Sequence, residues 1–185
     1  MRVDTLWVLF TAVLQEMFVR ETAVMRSMRH THLLPLYATS VETHYLWIIT
    51  PFVSGGTLEN ILHYAFPDGF PEKVVASISK MVLEALAYLH NHGIVHRDIK
   101  TSNILLRNDG HVYLGDLGIA AQVVQPDTQN PGKMLRLERH TFAGTLQYIS
   151  PEIVEGIGYD ERVDVWSYGA SGQCDLGSSP HHITR

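Results

Sequence analysis

Between Gly93 and Leu106 the chain reads "GIVHRDIKTSNILL", and two apolar runs enclose His96, Arg97, Asp98, Lys100 and Asn103. So much charge between core segments needs partners or work, because an unpaired buried charge is costly. Asp98 and Asn103 lie five residues apart, and Asp116 follows in "LGDLG". The stretches "ILLR" (Ile104 to Arg107) and "HVYLG" (His111 to Gly115) flank "NDG", which reads as a tight hairpin. A hairpin returns the chain close to where it left, so it brings Asp98, Asn103 and Asp116 together. The Asn103 amide and the Asp116 carboxylate are hard oxygen ligands that suit magnesium, which takes few protein ligands alongside phosphate oxygens. Asp98 is then free to accept a hydroxyl proton, and Lys100 to neutralise charge on a phosphoryl group in transfer.

The elements that must position this cluster are legible on both sides of it. Pro71 to about His92 is predicted as a helix with one apolar face, formed by Val75, Ile78, Val82, Ala85, Leu86 and Leu89. Pro71 suits its first turn and Gly93 its stop. Upstream, residues 17–29 read as a helix with Met17, Val24, Met25 and Met28 at helical spacing. Glu21 lies four residues from both Met17 and Met25, so it places a carboxylate on that apolar face, where it needs a partner or a route to water. "LLPLYATS" and "HYLWIIT" read as strands, and "VSGGTLENIL" turns through Gly55 and Gly56 into a short helix. Residues 125–139 are polar, hold two prolines and read as a mobile surface loop. "YDERVDVWSYG" begins a further helix.

Composition bounds the function classes. At 185 residues and 45% hydrophobic, the chain can bury a real core. A net charge of −5 argues against a nucleic-acid or anionic-membrane surface. Cys174 stands alone, which fits a reducing, cytoplasmic setting. "TLWVLFTAVL" (Thr5 to Leu14) is too short for a span of roughly 20 residues and makes a poor signal peptide. It reads as a buried segment or as foreign to the rest of the chain. The histidines suggest no zinc site, because no cysteine or carboxylate completes a four-ligand set.

"HRDIKTSN" with "DLG" is similar to the catalytic loop and magnesium motif of eukaryotic protein kinases. Further matches follow in the family's order. "TFAGTLQYISPE" (Thr141 to Glu152) resembles the end of an activation segment, and "DVWSYG" (Asp164 to Gly169) the start of the central helix of the large lobe. "ETAVMRSMRHTHLLPL" resembles the regulatory helix of the small lobe running into its next strand. Lys100 and the "GT" of Thr145 resemble the serine/threonine class. "LWIITPFVSGGTLENILHYAFPDGF" and "HTFAGTLQYISPE" look most like the sterile-twenty group, in its oxidative-stress-responsive branch, and a related pseudokinase branch shares much of that texture.

The resemblance implies an α+β protein-kinase-like fold, with a partial small lobe and an incomplete, mainly helical large lobe. It divides the chain into an atypical apolar stretch (1–15), small lobe and hinge (16–53), large lobe (54–169) and an irregular tail (170–185). It implies ATP and magnesium as cofactors, a protein substrate, and an upstream or regulated kinase as partner. Asp98 becomes the catalytic base, Lys100 the phosphate contact, and Asn103 and Asp116 the metal ligands. Thr50 sits at the back of the adenine pocket, followed by the hinge residues Pro51, Phe52 and Val53, with Leu105 under the base. Arg97 faces a phosphate on the activation segment, with Thr141 as acceptor and Thr145 near Asp98. Met25, Leu36, His96 and Leu117 stack as a spine, and Asp164 accepts hydrogen bonds from the catalytic-loop backbone. Glu21 pairs with a strand lysine and Glu152 with an arginine in later helices.

That strand lysine and the glycine-rich loop are both wanting in this sequence. Its first lysine is Lys73 and its first glycine Gly55, each well after Glu21. An active kinase needs both. The chain is therefore expected to be a kinase fragment, truncated at both ends and nearly or wholly inactive as it stands. The competing expectation is a catalytically dead regulatory module that docks on a true kinase.

Overall fold

The computed structural model describes residues 3–9, 26–42, 45–127, 129–130 and 133–172. Strands β1 (Val3–Leu9), β2 (Ala38–Glu42) and β3 (Tyr45–Pro51) form an antiparallel sheet in the order β1–β3–β2. β1 pairs along its whole length, from Val3 opposite Pro51 to Leu9 opposite Tyr45, so part of the apolar amino-terminal stretch serves as a strand. β2 begins later than the apolar pattern predicts. Pro35 lacks an N–H for a ladder, and the residues before it pair elsewhere. Leu34 N donates to Leu114 O at 2.9 Å, and Leu114 N donates to His32 O at 2.8 Å. The predicted helix at 17–29, with Glu21 and Met25, lies for the most part outside the described residues.

After β3 the chain turns through Gly55 and Gly56. A Cβ at Gly55 would collide with the Leu106 carbonyl, so only glycine fits there. Helix α1 (Leu58–Ala65) is capped by Thr57, whose hydroxyl accepts from Asn60 N. Helix α2 (Glu72–Asn91) buries Ile78, Val82, Ala85, Leu86 and Leu89 along one face. At about 2 kcal/mol for each of the four larger side chains and about 0.8 for Ala85, that face contributes roughly 9 kcal/mol of gross burial energy. Val75 lies at its half-buried margin. The helix stops at Gly93, where φ is +70° and a Cβ would stand 2.6 Å from Val124 Cβ.

The rest is built from short pieces. Strand β4 (Ile94–Val95) leads to a 3₁₀ turn (Thr101–Asn103) and the hairpin of β5 (Ile104–Leu106) and β6 (Val112–Leu114). β7 (Ala121–Gln122) returns to pair with β4, and β8 (Val124–Pro126) pairs with β9 (Met134–Arg136). This last hairpin replaces the predicted unstructured loop. Asp127 holds its turn by accepting from Gln129 N, Asn130 N and Asn130 Nδ2. Helices α3 (Pro151–Val154) and α4 (Arg162–Ser171) follow. One core gathers α1, α2, the β5–β6 hairpin and Leu33; a second holds Val95, Val123, Ile149, Ile153, Tyr159 and Val163. No helix among the described residues is long and apolar enough to cross a membrane.

Candidate active site

The site grows from the segment after β4, which one buried carboxylate holds in place. Asp164, on α4, is fully buried. Its Oδ2 accepts from His96 N at 2.9 Å and lies 2.7 Å from His90 Nε2. Its Oδ1 accepts from Arg97 N at 2.7 Å. Arg97 is a non-glycine residue at φ +71°, a conformation that costs energy unless the surroundings impose it. The Asp164 clamp imposes it. The buried His96 ring fixes the next step: Nδ1 accepts from Asp98 N at 3.3 Å, so Nε2 carries the proton and donates to Gly115 O at 2.9 Å.

Asp98 then presents its carboxylate to a closed network. Thr145 Oγ1 donates to Asp98 Oδ1 at 2.6 Å. Lys100 Nζ reaches Asp98 Oδ2 at 2.7 Å and Thr145 Oγ1 at 2.8 Å. Asn103 Nδ2 donates to Asp98 Oδ2 at 3.0 Å and to the Asp98 carbonyl at 2.8 Å. Burial pushes the Asp98 carboxyl up. The hydrogen bonds from Lys100, Thr145 and Asn103, with the Lys100 charge, outweigh it and hold the group below its ordinary 3.8. A carboxylate offers about four lone pairs, and this one has used three on side chains. One remains for an incoming hydroxyl.

The hairpin register sets Ile104 opposite Leu114, and Gly115 N donates to Asn103 O at 2.9 Å. The chain thus returns beside Asn103, one residue before Asp116. The Asp116 carboxylate itself is exposed and accepts from Gly118 N at 3.3 Å, without contact to Asp98 or Asn103 among the described residues. Asp116 is the second non-glycine residue with positive φ, at +58°. Both nitrogen-side bonds of Asn103 go to Asp98, so its side-chain oxygen stays open. Asn103 and Asp116 each keep an oxygen without a partner among the described residues, and both are of the hard type that magnesium takes.

The central strand β3 ends in half-buried Thr50 and Pro51, followed by exposed Phe52 and buried Val53. Val53 is 5% exposed, and its N–H meets no acceptor among the described residues. An N–H without a chain partner stands open to an acceptor from outside the chain. Leu105 lies next to this stretch, since Leu106 N donates to Gly56 O at 2.9 Å and Leu105 bridges to Thr57.

Arg97 does not extend into solvent. Its Nε donates to Ile119 O at 2.5 Å and its Nη1 to Tyr159 Oη at 3.0 Å, and Tyr159 Oη donates to Thr141 O at 2.9 Å. Thr141 itself is exposed. Glu152, on α3, lines a groove of about 610 Å³ with Arg162, Val165 and Trp166. Glu21 lies outside the described residues. Sequence reasoning missed His90 as a partner of Asp164, and Tyr159 as the bridge between Arg97 and Thr141. It also missed Gly144, at φ +116°, where a Cβ would stand 2.7 Å from Arg97 O. For Gly144 the signal was the glycine itself.

A protein kinase domain model matches residues 11–173. Serine/threonine-protein kinase fray2 of Dictyostelium discoideum is 37% identical over 150 residues, covering 81% of this chain and 14% of that protein. Serine/threonine-protein kinase PAK mbt of Drosophila melanogaster is 36% identical over 155 residues, covering 84% and 22%. Serine/threonine-protein kinase ppk11 of Schizosaccharomyces pombe is 35% identical over 167 residues, covering 90% and 50%. The chain thus spans from about a seventh to half of the length of these relatives. With the catalytic-loop network and the match to nearly its whole length, the chain belongs to the eukaryotic protein kinase domain family, among serine/threonine kinases.

Proposed function

We propose that this chain carries the catalytic loop and activation segment of a serine/threonine kinase of the sterile-twenty group, which transfers the terminal phosphate of ATP to a protein hydroxyl. The network closed by Asp98, Lys100, Asn103 and Thr145 carries the reading. Ionised at neutral pH, Asp98 orients the substrate hydroxyl with its remaining lone pair and takes its proton. Lys100 balances that charge and stands ready for the phosphoryl group. Asn103 and Asp116 hold magnesium, which neutralises charge on the phosphate oxygens. The Val53 N–H and the Pro51 carbonyl orient adenine over Leu105, with Thr50 at the back of the pocket. Thr141 is the acceptor for an upstream kinase, and Tyr159 links its carbonyl to the Arg97 guanidinium.

The 185-residue polypeptide alone transfers little or no phosphate, because no glycine precedes Gly55 and no lysine precedes Lys73. Incubated with ATP, magnesium and a generic protein substrate, it should not exceed its Asp98→Asn variant. Robust transfer that Asp98→Asn abolishes would overturn this. The same missing lysine favours a second reading, a regulatory module that docks on an active kinase. Thermal stabilisation by nucleotide separates the two. A magnesium-dependent rise in melting temperature supports the kinase site, and no response to any nucleotide supports the module.

A further inference from the structure

A ladder of aromatic rings joins residues 28–34 to the large helical part, and several of its rungs are histidines. His92 stacks on Tyr88 at 4.2 Å, Tyr88 on His30 at 5.0 Å, and His30 meets His32 edge-on at 5.7 Å. His32 stacks on His111 at 4.7 Å, and His111 meets Tyr113 at 4.7 Å. Tyr88 belongs to α2 and His92 follows its last residue, while Tyr113 belongs to β6, with His111 just before it. The rings therefore line the seam on which Leu33 enters the main core.

The hydrogen bonds fix where protons sit. His32 Nδ1 lies 3.0 Å from Val112 O, and His111 Nε2 lies 2.9 Å from Thr31 O, so both nitrogens must donate. His32 Nε2 then faces Glu84 Oε2 at 3.4 Å, a contact that becomes an ion pair when that nitrogen is protonated. His30 is the reverse case: its Nδ1 accepts from His32 N at 3.2 Å, so it must keep its lone pair. A proton on His30 Nδ1 breaks that bond and sets a cation beside His32. The other charged groups at the seam are Arg29 on the same segment and the Arg107–Asp109 pair in the β5–β6 turn. Glu84, from α2, faces the His32 ring with negative charge, while Asp109 accepts from His111 N and pairs with Arg107.

We propose that His30, His32 and His111 form a proton-sensitive latch that docks residues 28–34 on α2 and the β5–β6 hairpin and releases them on mild acidification. Protonation of His30 Nδ1 loosens it, because that nitrogen must keep its lone pair to accept from His32 N. Burial, then the His32 charge, lower the His30 pKa below its ordinary 6.5, with Glu84 opposing. Docking is therefore fully present above about 6.5 and is lost as pH falls toward the lowered value. The latch stands independently of phosphate transfer.

The test is amide hydrogen exchange of the 185-residue chain at about pH 7.5 and pH 5.5, either side of the ordinary histidine value, corrected for intrinsic exchange. The Leu34 and Leu114 amides should lose protection roughly three- to tenfold at the lower pH, the worth of one neutral hydrogen bond. His30→Asn keeps an acceptor at the Nδ1 position and cannot titrate, so its protection should stay constant. Unchanged protection in the unsubstituted chain overturns the latch, as does an equal loss in His30→Asn. A ring titration by NMR decides the matter if His30→Asn folds poorly. His30 titrating at or above its ordinary value refutes the proposal.

Discussion

Asp164→Asn isolates the clamp on which the catalytic loop rests. The substitution keeps size and shape but replaces a carboxylate with one acceptor and one donor. The amide oxygen is best placed on the side of His96 N and His90 Nε2, which lie 2.9 and 2.7 Å from Oδ2. The NH₂ group then meets Arg97 N, which lies 2.7 Å from Oδ1, as donor against donor. One charge-assisted hydrogen bond is lost, about 1.5–3 kcal/mol, and a buried N–H is left unpaired, about 1–3 kcal/mol more. The strain of Arg97 at φ +71° loses its main restraint as well. A total near 4 kcal/mol is a large share of a domain's stability of roughly 5–15 kcal/mol. With a urea dependence of about 2.5 kcal/mol per molar for a chain of this size, the midpoint should fall by about 1.5 M. Urea unfolding followed by circular dichroism measures it. A fall below about 0.3 M at unchanged slope would refute the reasoning, since the three donors would then have found equivalent partners without the charge.

The depressed Asp98 pKa sets a pH dependence: the unfolded state takes up the proton first, so the stability it confers is full above about 3.8 and lost as pH falls through the lowered folded value. The difference in urea midpoint between the chain and Asp98→Asn should shrink over that window, and a constant difference would contradict the network. The two residues of positive φ should respond unequally to glycine. Asp116→Gly relieves a strained backbone at the expense of unfolded-state entropy, so stability should change by less than about 1 kcal/mol, while magnesium-dependent stabilisation by nucleotide disappears. Arg97→Gly also loses the bonds to Ile119 O and Tyr159 Oη and should lower stability by about 2–4 kcal/mol. Equal destabilisation by both in urea unfolding would show that Asp116 carries a structural duty.

What could be read from the sequence follows from what each element uses to hold itself. Helix α2 spans Glu72–Asn91 against an expected Pro71 to His92, because its burial is one-sided and periodic. The β5–β6 hairpin was equally legible, since its turn needs glycine at φ +85°, supplied by Gly110. The β8–β9 hairpin was not. Its described β9 side chains are all exposed, so no alternation marks it, and its turn depends on the Asp127 carboxylate bonding to backbone two and three residues on. The late start of β2 was hidden for another reason. Leu33 and Leu34 are as apolar as strand residues, but their pairing with Leu114 spans eighty residues, and no local window contains it.

The candidate site divides along the same line. Spacing alone brought Asp98, Lys100 and Asn103 into one argument, because their contacts lie within five residues. Thr145 and Asp164 entered only through the family's motif order, and their bonds to the loop span 47 and 68 residues. His90 entered as neither, because a histidine at a helix end carries no mark of the carboxylate it meets. The pattern has a physical basis. Groups that satisfy one another within the loop leave a compact signature, whereas groups that hold the loop from outside share no register with it. The open groups are of a third kind: the Val53 N–H, the Asn103 side-chain oxygen and the free Asp116 oxygen have no partner among the described residues. The proposed magnesium and adenine sites need open groups of this kind, and the bonds of the closed Asp98 network use none of them.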